Sequence, residues 1–230
     1  MFPVYLKDEE LRGPINESLF FLLANNGLFL IKEMDLYRAS LKMEGVPGLL
    51  SHEESFQLKV PKLPKALVET GMGFFSVLYH LYQSEGILLL FYSPTAGFHV
   101  EAPKQSVYLR GPGRPYYMVD YENPPTPEGF SRLGTWHSHA MFPAYHSRED
   151  RLDEMGEDGL HIVVGDLDLA IPSFSFSFMI NGRRFFLNKE EVIEGYDRSI
   201  FPPEDWVENV SCVDSLDPFE KRSEKESPHR

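Results

Sequence analysis

Two histidines, a serine and an aspartate between residues 137 and 150 have a spacing that suits a metal centre. His137 and His139 lie two residues apart, and Ser147 and Asp150 complete the pattern H-x-H-x7-S-x2-D. Apolar and β-branched residues precede the histidines, which predicts that the pair closes a strand with both imidazoles on one face. An aspartate returning from a nearby turn would add a third ligand. A catalytic zinc ion needs three protein ligands, because its fourth tetrahedral position stays open for water.

The same residues also have ordinary structural interpretations. A His-x-His pair alone is weak evidence for a metal, since histidines also occur at surfaces and in cores. Ser147 is a good helix N-cap, and Asp150 would then lie at the third helical position, where the helix dipole favours a carboxylate. The two interpretations are compatible, because a cap fixes where the Asp150 carboxylate points. The specific feature is the joint spacing of all four residues.

In this spacing the four residues resemble the JAMM (MPN+) motif of zinc metallopeptidases that cut ubiquitin-like proteins from their conjugates. The resemblance covers residues 64–196, and its details resemble the prokaryotic branch, in particular the PRTRC protein A group found beside bacterial ubiquitin-like conjugation genes. It implies an α/β fold of the cytidine-deaminase-like JAB/MPN type, with a mixed, mostly antiparallel sheet flanked by helices. It also implies one zinc ion (Zn²⁺) per chain, held by His137, His139 and Asp150, and a Ser147 hydroxyl that stabilises the oxyanion.

In that family an upstream glutamate at the start of a β-strand serves as general acid/base, and Glu85 is the match. It follows a helical pattern over residues 65–84 and precedes the apolar run Ile87–Tyr92, which is typical of a buried strand. Glu69 lies in the middle of the helical pattern and Glu101 lies in a predicted loop, so both fit the position less well. The alternative for Glu85 is a polar residue at a helix C-terminus that faces solvent.

Composition and charge argue against several partners. The 230 residues include 35 acidic and 22 basic side chains, and the net charge of −13 disfavours nucleic acid and anionic lipid. No apolar run approaches the length of about 18 residues that a membrane span needs. The first residues lack the pattern of a signal peptide. Cys212 is the single cysteine, which excludes an internal disulfide and predicts a cytoplasmic protein.

The sequence predicts three segments. Residues 1–60 form a β-rich N-terminal module with a hairpin around Asn25-Asn26-Gly27, although Glu17–Ala24 is also compatible with a helix. Two prolines near Val60 mark a connector to the metallopeptidase domain at 61–200. Residues 201–230 form a polar tail that we expect to be partly disordered.

Within the central segment, local patterns predict one long helix followed by several strands. Gly71 and Gly73 interrupt the helical pattern over 65–84, which indicates either a break or a close approach of the helix to the sheet. Residues 93–131 are rich in proline and are the expected location of the substrate-binding residues. Further strands are predicted at 160–164, 174–180 and 184–187, and a last helix at 190–196.

These features and the resemblance together predict hydrolysis of an amide or isopeptide bond. The reaction would remove a ubiquitin-like protein from its conjugates or process its precursor. The partners would be that protein, its conjugates, and activating- and conjugating-like enzymes from the same operon.

Two alternatives to this function stay open. One is a catalytically silent interaction module on the same fold, whose members generally lose motif residues that this chain keeps. The other is a non-haem iron enzyme, which usually places its carboxylate within the short motif.

Overall fold

The computed structural model describes residues 2–8, 10–11, 15–34, 37–45, 50, 52, 55–108 and 119–213. Within them the chain is mixed α/β, with more strand than helix. It divides into two compact units, Met1–Ser55 and Phe56–Arg230. Phe56 belongs to the second unit because its ring packs on Phe178 and Phe185, with centroids 4.7 and 5.4 Å away. The connector predicted near Val60 therefore lies inside the second unit.

The N-terminal unit contains one four-stranded sheet in the order β1-β2-β3-β4. Its strands are β1 (Val4–Leu6), β2 (Leu19–Ala24), β3 (Gly27–Met34) and β4 (Tyr37–Lys42). The predicted hairpin is confirmed, since Ala24 pairs with Gly27 across the Asn25-Asn26 turn. The helical alternative for residues 17–24 is wrong. An extended β2 places Phe20 opposite Ile31, and both side chains are buried.

The second unit contains a long helix, three short helices and nine strands within its described residues. In chain order these are α1 (Lys65–Tyr82), β5 (Ile87–Ser93), β6 (Gly97–Glu101), β7 (Gln105–Tyr108), β8 (Val119–Tyr121), β9 (Ser131–Ser138), α2 (Arg148–Glu154), β10 (Gly159–Gly165), β11 (Ser173–Ile180), β12 (Arg183–Leu187), α3 (Lys189–Val192), α4 (Glu204–Glu208) and β13 (Val210–Val213). A six-stranded sheet has the order β12-β11-β10-β9-β5-β6, and a three-stranded sheet has the order β13-β7-β8. In the larger sheet only β9 and β10 are parallel, so the predicted mixed, mostly antiparallel sheet is confirmed.

The six-stranded sheet buries side chains on both of its faces. On β5, Leu88 and Leu90 join the large core cluster that contains the α1 residues Phe74 and Phe75. Ile87, Leu89 and Phe91 alternate with them and form a separate, smaller cluster on the opposite face. A strand covered on both sides has no polar position to alternate with, which explains the continuous apolar run from Ile87.

Helix α1 is unbroken through its two glycines, which mark close packing. A Cβ at Gly71 would lie 2.3 Å from the Trp136 ring, and a Cβ at Gly73 would lie 1.6 Å from the Ile200 carbonyl oxygen. Phe75 also packs edge-on against Trp136, with ring centroids 5.3 Å apart. Gly71 therefore lets α1 approach β9 at the residue before His137, while Gly73 lets it approach the backbone at Ile200.

Two predictions from the sequence need correction, and a third is described in more detail by the structure. Strand β6 lies in a region that the sequence predicts as loop. Its pairing with β5 is not marked by a strong local strand pattern in the sequence. The helix predicted at 190–196 is α3, which ends at Val192 because Ile193 forms a bridge with Leu63. The tail predicted to be partly disordered is ordered over its described part, since α4 buries Trp206 and β13 pairs with β7. Residues 214–230 lie outside the described residues.

Among the described residues, no helix is both long and apolar enough to cross a membrane.

Candidate metal centre

The end of strand β9 places both histidines on the face of the sheet opposite α1. Trp136 and Ser138 point toward the α1 side, where Trp136 is buried in the large core cluster. His137 therefore points to the other face, and its side chain is 12% exposed. His139 follows directly after the strand and is buried, and its backbone N–H donates to the Val164 carbonyl oxygen at 2.7 Å.

The loop from His139 to Ser147 is tied to the end of strand β10. The Asp166 N–H donates to the Phe142 carbonyl oxygen at 2.8 Å, and the Leu167 N–H donates to the Ala140 carbonyl oxygen at 3.0 Å. Gly165 permits this contact, because a Cβ there would lie 2.0 Å from the Phe142 carbonyl oxygen. The loop therefore leads from the histidines to helix α2 along a fixed path.

Ser147 and Asp150 form a reciprocal capping box at the start of α2. The Ser147 Oγ accepts a hydrogen bond from the Asp150 N–H at 3.0 Å, and the Asp150 Oδ2 accepts one from the Ser147 N–H at 2.6 Å. This arrangement satisfies two backbone donors of the helix terminus and fixes the Asp150 carboxylate. The predicted cap and the predicted ligand are thus the same structural feature.

His137, His139 and Asp150 form a set that could hold a metal ion. The two histidine Nε2 atoms are 3.2 Å apart, the Asp150 Oδ1 lies 3.5 Å from the His137 Nε2, and the Asp150 Oδ2 lies 3.3 Å from the His139 Nε2. A tetrahedral ion with ligand bonds of 2.0–2.1 Å separates its ligand atoms by about 3.3–3.4 Å. The separation of the two Nε2 atoms is close to that value, and each of them lies at a similar distance from one of the two Asp150 oxygens. One ligand atom from each of the three side chains lies within 4.8 Å of the others, so the three can gather around one ion.

The surroundings of Asp150 favour its charged form. Burial alone would raise the pKa of Asp150, but hydrogen bonds with His137, His139 and Ser147, together with the charge of His137, outweigh it and hold the pKa well below its usual range. An ionised carboxylate beside two imidazoles is the donor set that a divalent cation such as zinc accepts.

Glu85 lies between α1 and β5, at the place predicted from the sequence. The next residue, Gly86, is hydrogen-bonded to Ser138, which separates the two histidines. Burial raises the pKa of Glu85 well above its usual value, and the negative charge of Asp150 raises it further. No cation among the described residues offsets these effects. A carboxyl group with a raised pKa can both accept and return a proton near neutral pH.

Glu85 is thus connected to the site through the backbone of the next residue, Gly86. The side chains of the two competing glutamates make contacts elsewhere. The Glu69 side chain is buried and accepts a hydrogen bond from the Asp197 N–H at 3.2 Å. The Glu101 Oε2 lies 3.2 Å from the His99 Nε2.

The region predicted to bind substrate, 93–131, is only partly described. Strand β6 pairs with β5 and forms an edge of the six-stranded sheet, while β7 and β8 belong to the three-stranded sheet. Residues 109–118 lie outside the described residues.

The sequence also missed the apolar surface of the loop beside the histidines, where Met141, Phe142 and Tyr145 are 38–52% exposed. The Tyr145 ring meets the His139 ring edge to face, with centroids 4.9 Å apart.

A buried polar cluster beside helix α2 is not apparent from the sequence. It contains Glu154 and Arg184 together with His146 and His161. Only the position of Glu154, one helical turn beyond Asp150, offered a local signal for it. His161 is buried in the sheet and is not in the candidate ligand set.

Comparison with family models, with curated proteins and with solved structures finds no match to this chain.

Proposed function

We propose that this protein is a zinc-dependent hydrolase that cleaves an amide or isopeptide bond. The observation that carries the proposal is the convergence of the His137 and His139 Nε2 atoms with the Asp150 carboxylate, at N–N and N–O distances of 3.2–3.5 Å. Zinc favours this set of two imidazoles and one carboxylate, with one position left open. Bound there, zinc would polarise a carbonyl group and lower the pKa of an adjacent water toward about 7.

Glu85 acts as the general base and then as the general acid in this proposal. Its carboxylate accepts the proton of the attacking water and returns it to the leaving amine, so one group serves both steps. The burial that raises its pKa suits both roles, because a carboxyl group of ordinary pKa returns a proton poorly at neutral pH.

Ser147 stabilises the oxyanion that develops on the carbonyl. Its Oγ already accepts the Asp150 N–H, which leaves the hydroxyl hydrogen to donate elsewhere. Because the capping box fixes the Ser147 backbone, this donor needs no reorganisation during the reaction.

The proposed substrate is a ubiquitin-like protein, as a conjugate or as a precursor with a C-terminal extension. The motif resemblance supports this choice, with the JAB/MPN fold and a cytoplasmic bacterial conjugation system as its context. The mixed, mostly antiparallel sheet is consistent with such a fold. The exposed apolar loop residues Met141, Phe142 and Tyr145 offer a contact surface for a protein beside the candidate metal centre.

The test combines metal analysis with cleavage. Wild-type protein should contain about one zinc per chain and should release a ubiquitin-like protein from a conjugate encoded in the same genomic neighbourhood. Iron in place of zinc, with loss of activity in air, would favour an iron enzyme. Zinc without cleavage of any conjugate or precursor would favour a silent interaction module.

A further inference from the structure

Helix α2 carries Asp150 and is capped by Ser147, but it has little apolar anchoring. Glu154 is the only buried residue of Arg148–Glu154. Leu152 is 61% exposed, and Met155, which follows the helix, is 56% exposed. A seven-residue helix is not stable by itself in water, so its position depends on tertiary contacts. The buried anchor of α2 is therefore a charged side chain.

The Glu154 carboxylate contacts three groups from other parts of the second unit. Its Oε2 accepts a hydrogen bond from the Arg184 guanidinium of β12, and its Oε1 lies 3.3 Å from the His146 Nδ1 and 3.8 Å from the His161 Nδ1. Arg184 also donates to the Ser177 Oγ at 2.7 Å. The side chains of His146, His161 and Arg184, and that of Glu154 itself, are each at most 10% exposed.

A row of polar side chains in the sheet supports this cluster. Thr135, His161 and Ser177 are direct partners across β9, β10 and β11. The Thr135 Oγ1 lies 2.9 Å from the His161 Nδ1. Thr135 lies two residues before His137 and shares its face of the strand. The platform under α2 therefore begins on the strand that supplies a candidate metal ligand.

We propose that Glu154 is a positioning residue, which holds α2 so that Asp150 and Ser147 meet the two histidines. This rests on the proposed function in that the site is taken to bind zinc. Asp150 and Glu154 are four residues apart, so they lie on one face of the helix with a rise of about 6 Å between them. The sheet fixes His137, whereas the third ligand depends on where α2 sits.

An ion pair suits this task better than an apolar contact. Hydrogen bonds between a guanidinium and a carboxylate have defined directions, whereas apolar side chains tolerate sliding. The alternative is that the pair contributes only to stability. Stability and positioning separate experimentally, because a folded variant with a displaced α2 would bind zinc less tightly.

The decisive comparison is Glu154→Gln against Glu149→Gln, since both remove one negative charge from α2 but Glu149 is exposed. Competition with a chromophoric chelator should show zinc affinity about 10- to 100-fold weaker for Glu154→Gln. The control should stay within about twofold of wild type. In the metal-free protein, the Asp150 amide should exchange hydrogen faster in Glu154→Gln than in the control. Wild-type zinc affinity and exchange in folded Glu154→Gln would overturn the proposal.

Arg184 gives a second route if Glu154→Gln does not fold. Arg184→Lys keeps the charge but cannot contact Glu154 and Ser177 with one planar group, so zinc affinity should fall by a smaller factor. Arg184→Gln and Glu154→Gln should be non-additive when combined, because both remove one contact. Unchanged zinc affinity in folded Arg184→Lys and Arg184→Gln would overturn the positioning role. A wild-type protein that binds no zinc would defeat the proposed function, while the exchange rates would still test Glu154.

Discussion

Gly86 and Ser138 are joined by two hydrogen bonds. The Gly86 N–H donates to the Ser138 Oγ at 3.1 Å, and the Ser138 N–H donates to the Gly86 carbonyl oxygen at 3.0 Å. Ser138 separates the two histidines, and Gly86 follows Glu85 directly. The candidate base and the candidate ligands are therefore connected through one fully buried serine.

Removal of the Ser138 hydroxyl should damage catalysis while leaving zinc in place. Ser138→Ala leaves the buried Gly86 N–H without its acceptor, which costs about 1–3 kcal/mol of unfolding free energy. We expect a lower kcat with about one zinc per chain, measured by elemental analysis and steady-state cleavage. Ser131→Ala, at the exposed start of the same strand, is the control. Unchanged kcat in Ser138→Ala would show that the position of Glu85 does not depend on the Gly86–Ser138 hydrogen bond.

The ligand assignment predicts metal loss in two single variants. His139→Ala and Asp150→Ala each leave two protein ligands, fewer than a zinc site needs. Both should contain far less than one zinc per chain and should lose cleavage. His99→Ala is the matched control, because His99 contacts Glu101 and lies outside the ligand set. Full zinc content in either ligand variant would contradict the assignment.

Glu85→Gln should keep the metal and lose turnover. The amide preserves size and polarity but cannot accept a proton, so kcat should fall by about 10²- to 10⁴-fold. Glu101→Gln serves as the control for a lost carboxylate elsewhere in the same sheet. Near wild-type kcat in Glu85→Gln would move the base to another group.

The oxyanion role of Ser147 predicts a loss in rate with the metal retained. Ser147→Ala should lower kcat about 100- to 1000-fold, by analogy with loss of one oxyanion donor. It also removes an N-cap, which costs about 1 kcal/mol of stability. Ser147→Asp separates the two effects, since aspartate caps a helix but cannot donate a hydrogen bond. Restored stability without restored kcat is the expected result.

Glu154 should contribute stability that depends on pH. Burial by itself raises its pKa, but contacts with His146, charge from His161 and pairing with Arg184 outweigh it and lower the pKa from 4.5. Since the folded pKa lies below the unfolded one, the contribution is full above about pH 4.5 and falls as pH drops toward the folded pKa. The difference in unfolding free energy between metal-free wild type and Glu154→Gln should therefore shrink below pH 4.5. A difference in unfolding free energy that grows below pH 4.5 would contradict a lowered pKa for Glu154.

Local patterns in the sequence were sufficient for the parts of the site that lie close together in the chain. Strand alternation placed His137 and His139, the capping pattern placed Ser147 and Asp150, and the apolar run after Glu85 placed the start of β5. Each of these features depends on residues within about ten positions, a distance over which secondary structure imposes a period.

Contacts between distant segments left no such pattern. Gln105 is a buried glutamine whose Oε1 accepts the Ile87 N–H and whose Nε2 donates to the Ile87 carbonyl oxygen, both at 2.9 Å. It takes the place of a neighbouring strand at the start of β5, where β6 has already ended. The pairing of Glu154 with Arg184 is equally non-local. Neither contact repeats with a helix or strand period, so the sequence could not predict either.

Strand β13 also places a limit on when the site is completed during synthesis. Val210 pairs with Gln105, and the Gln105 N–H donates to the Asn209 carbonyl oxygen at 2.9 Å. Gln105 in turn holds Ile87, two residues from Glu85. A growing chain can therefore contain all of His137, His139 and Asp150 before the strand that pairs with Gln105 has been synthesised. For the proposed hydrolase, the candidate ligand set would be complete in the growing chain before β13 can pair with β7 at Gln105.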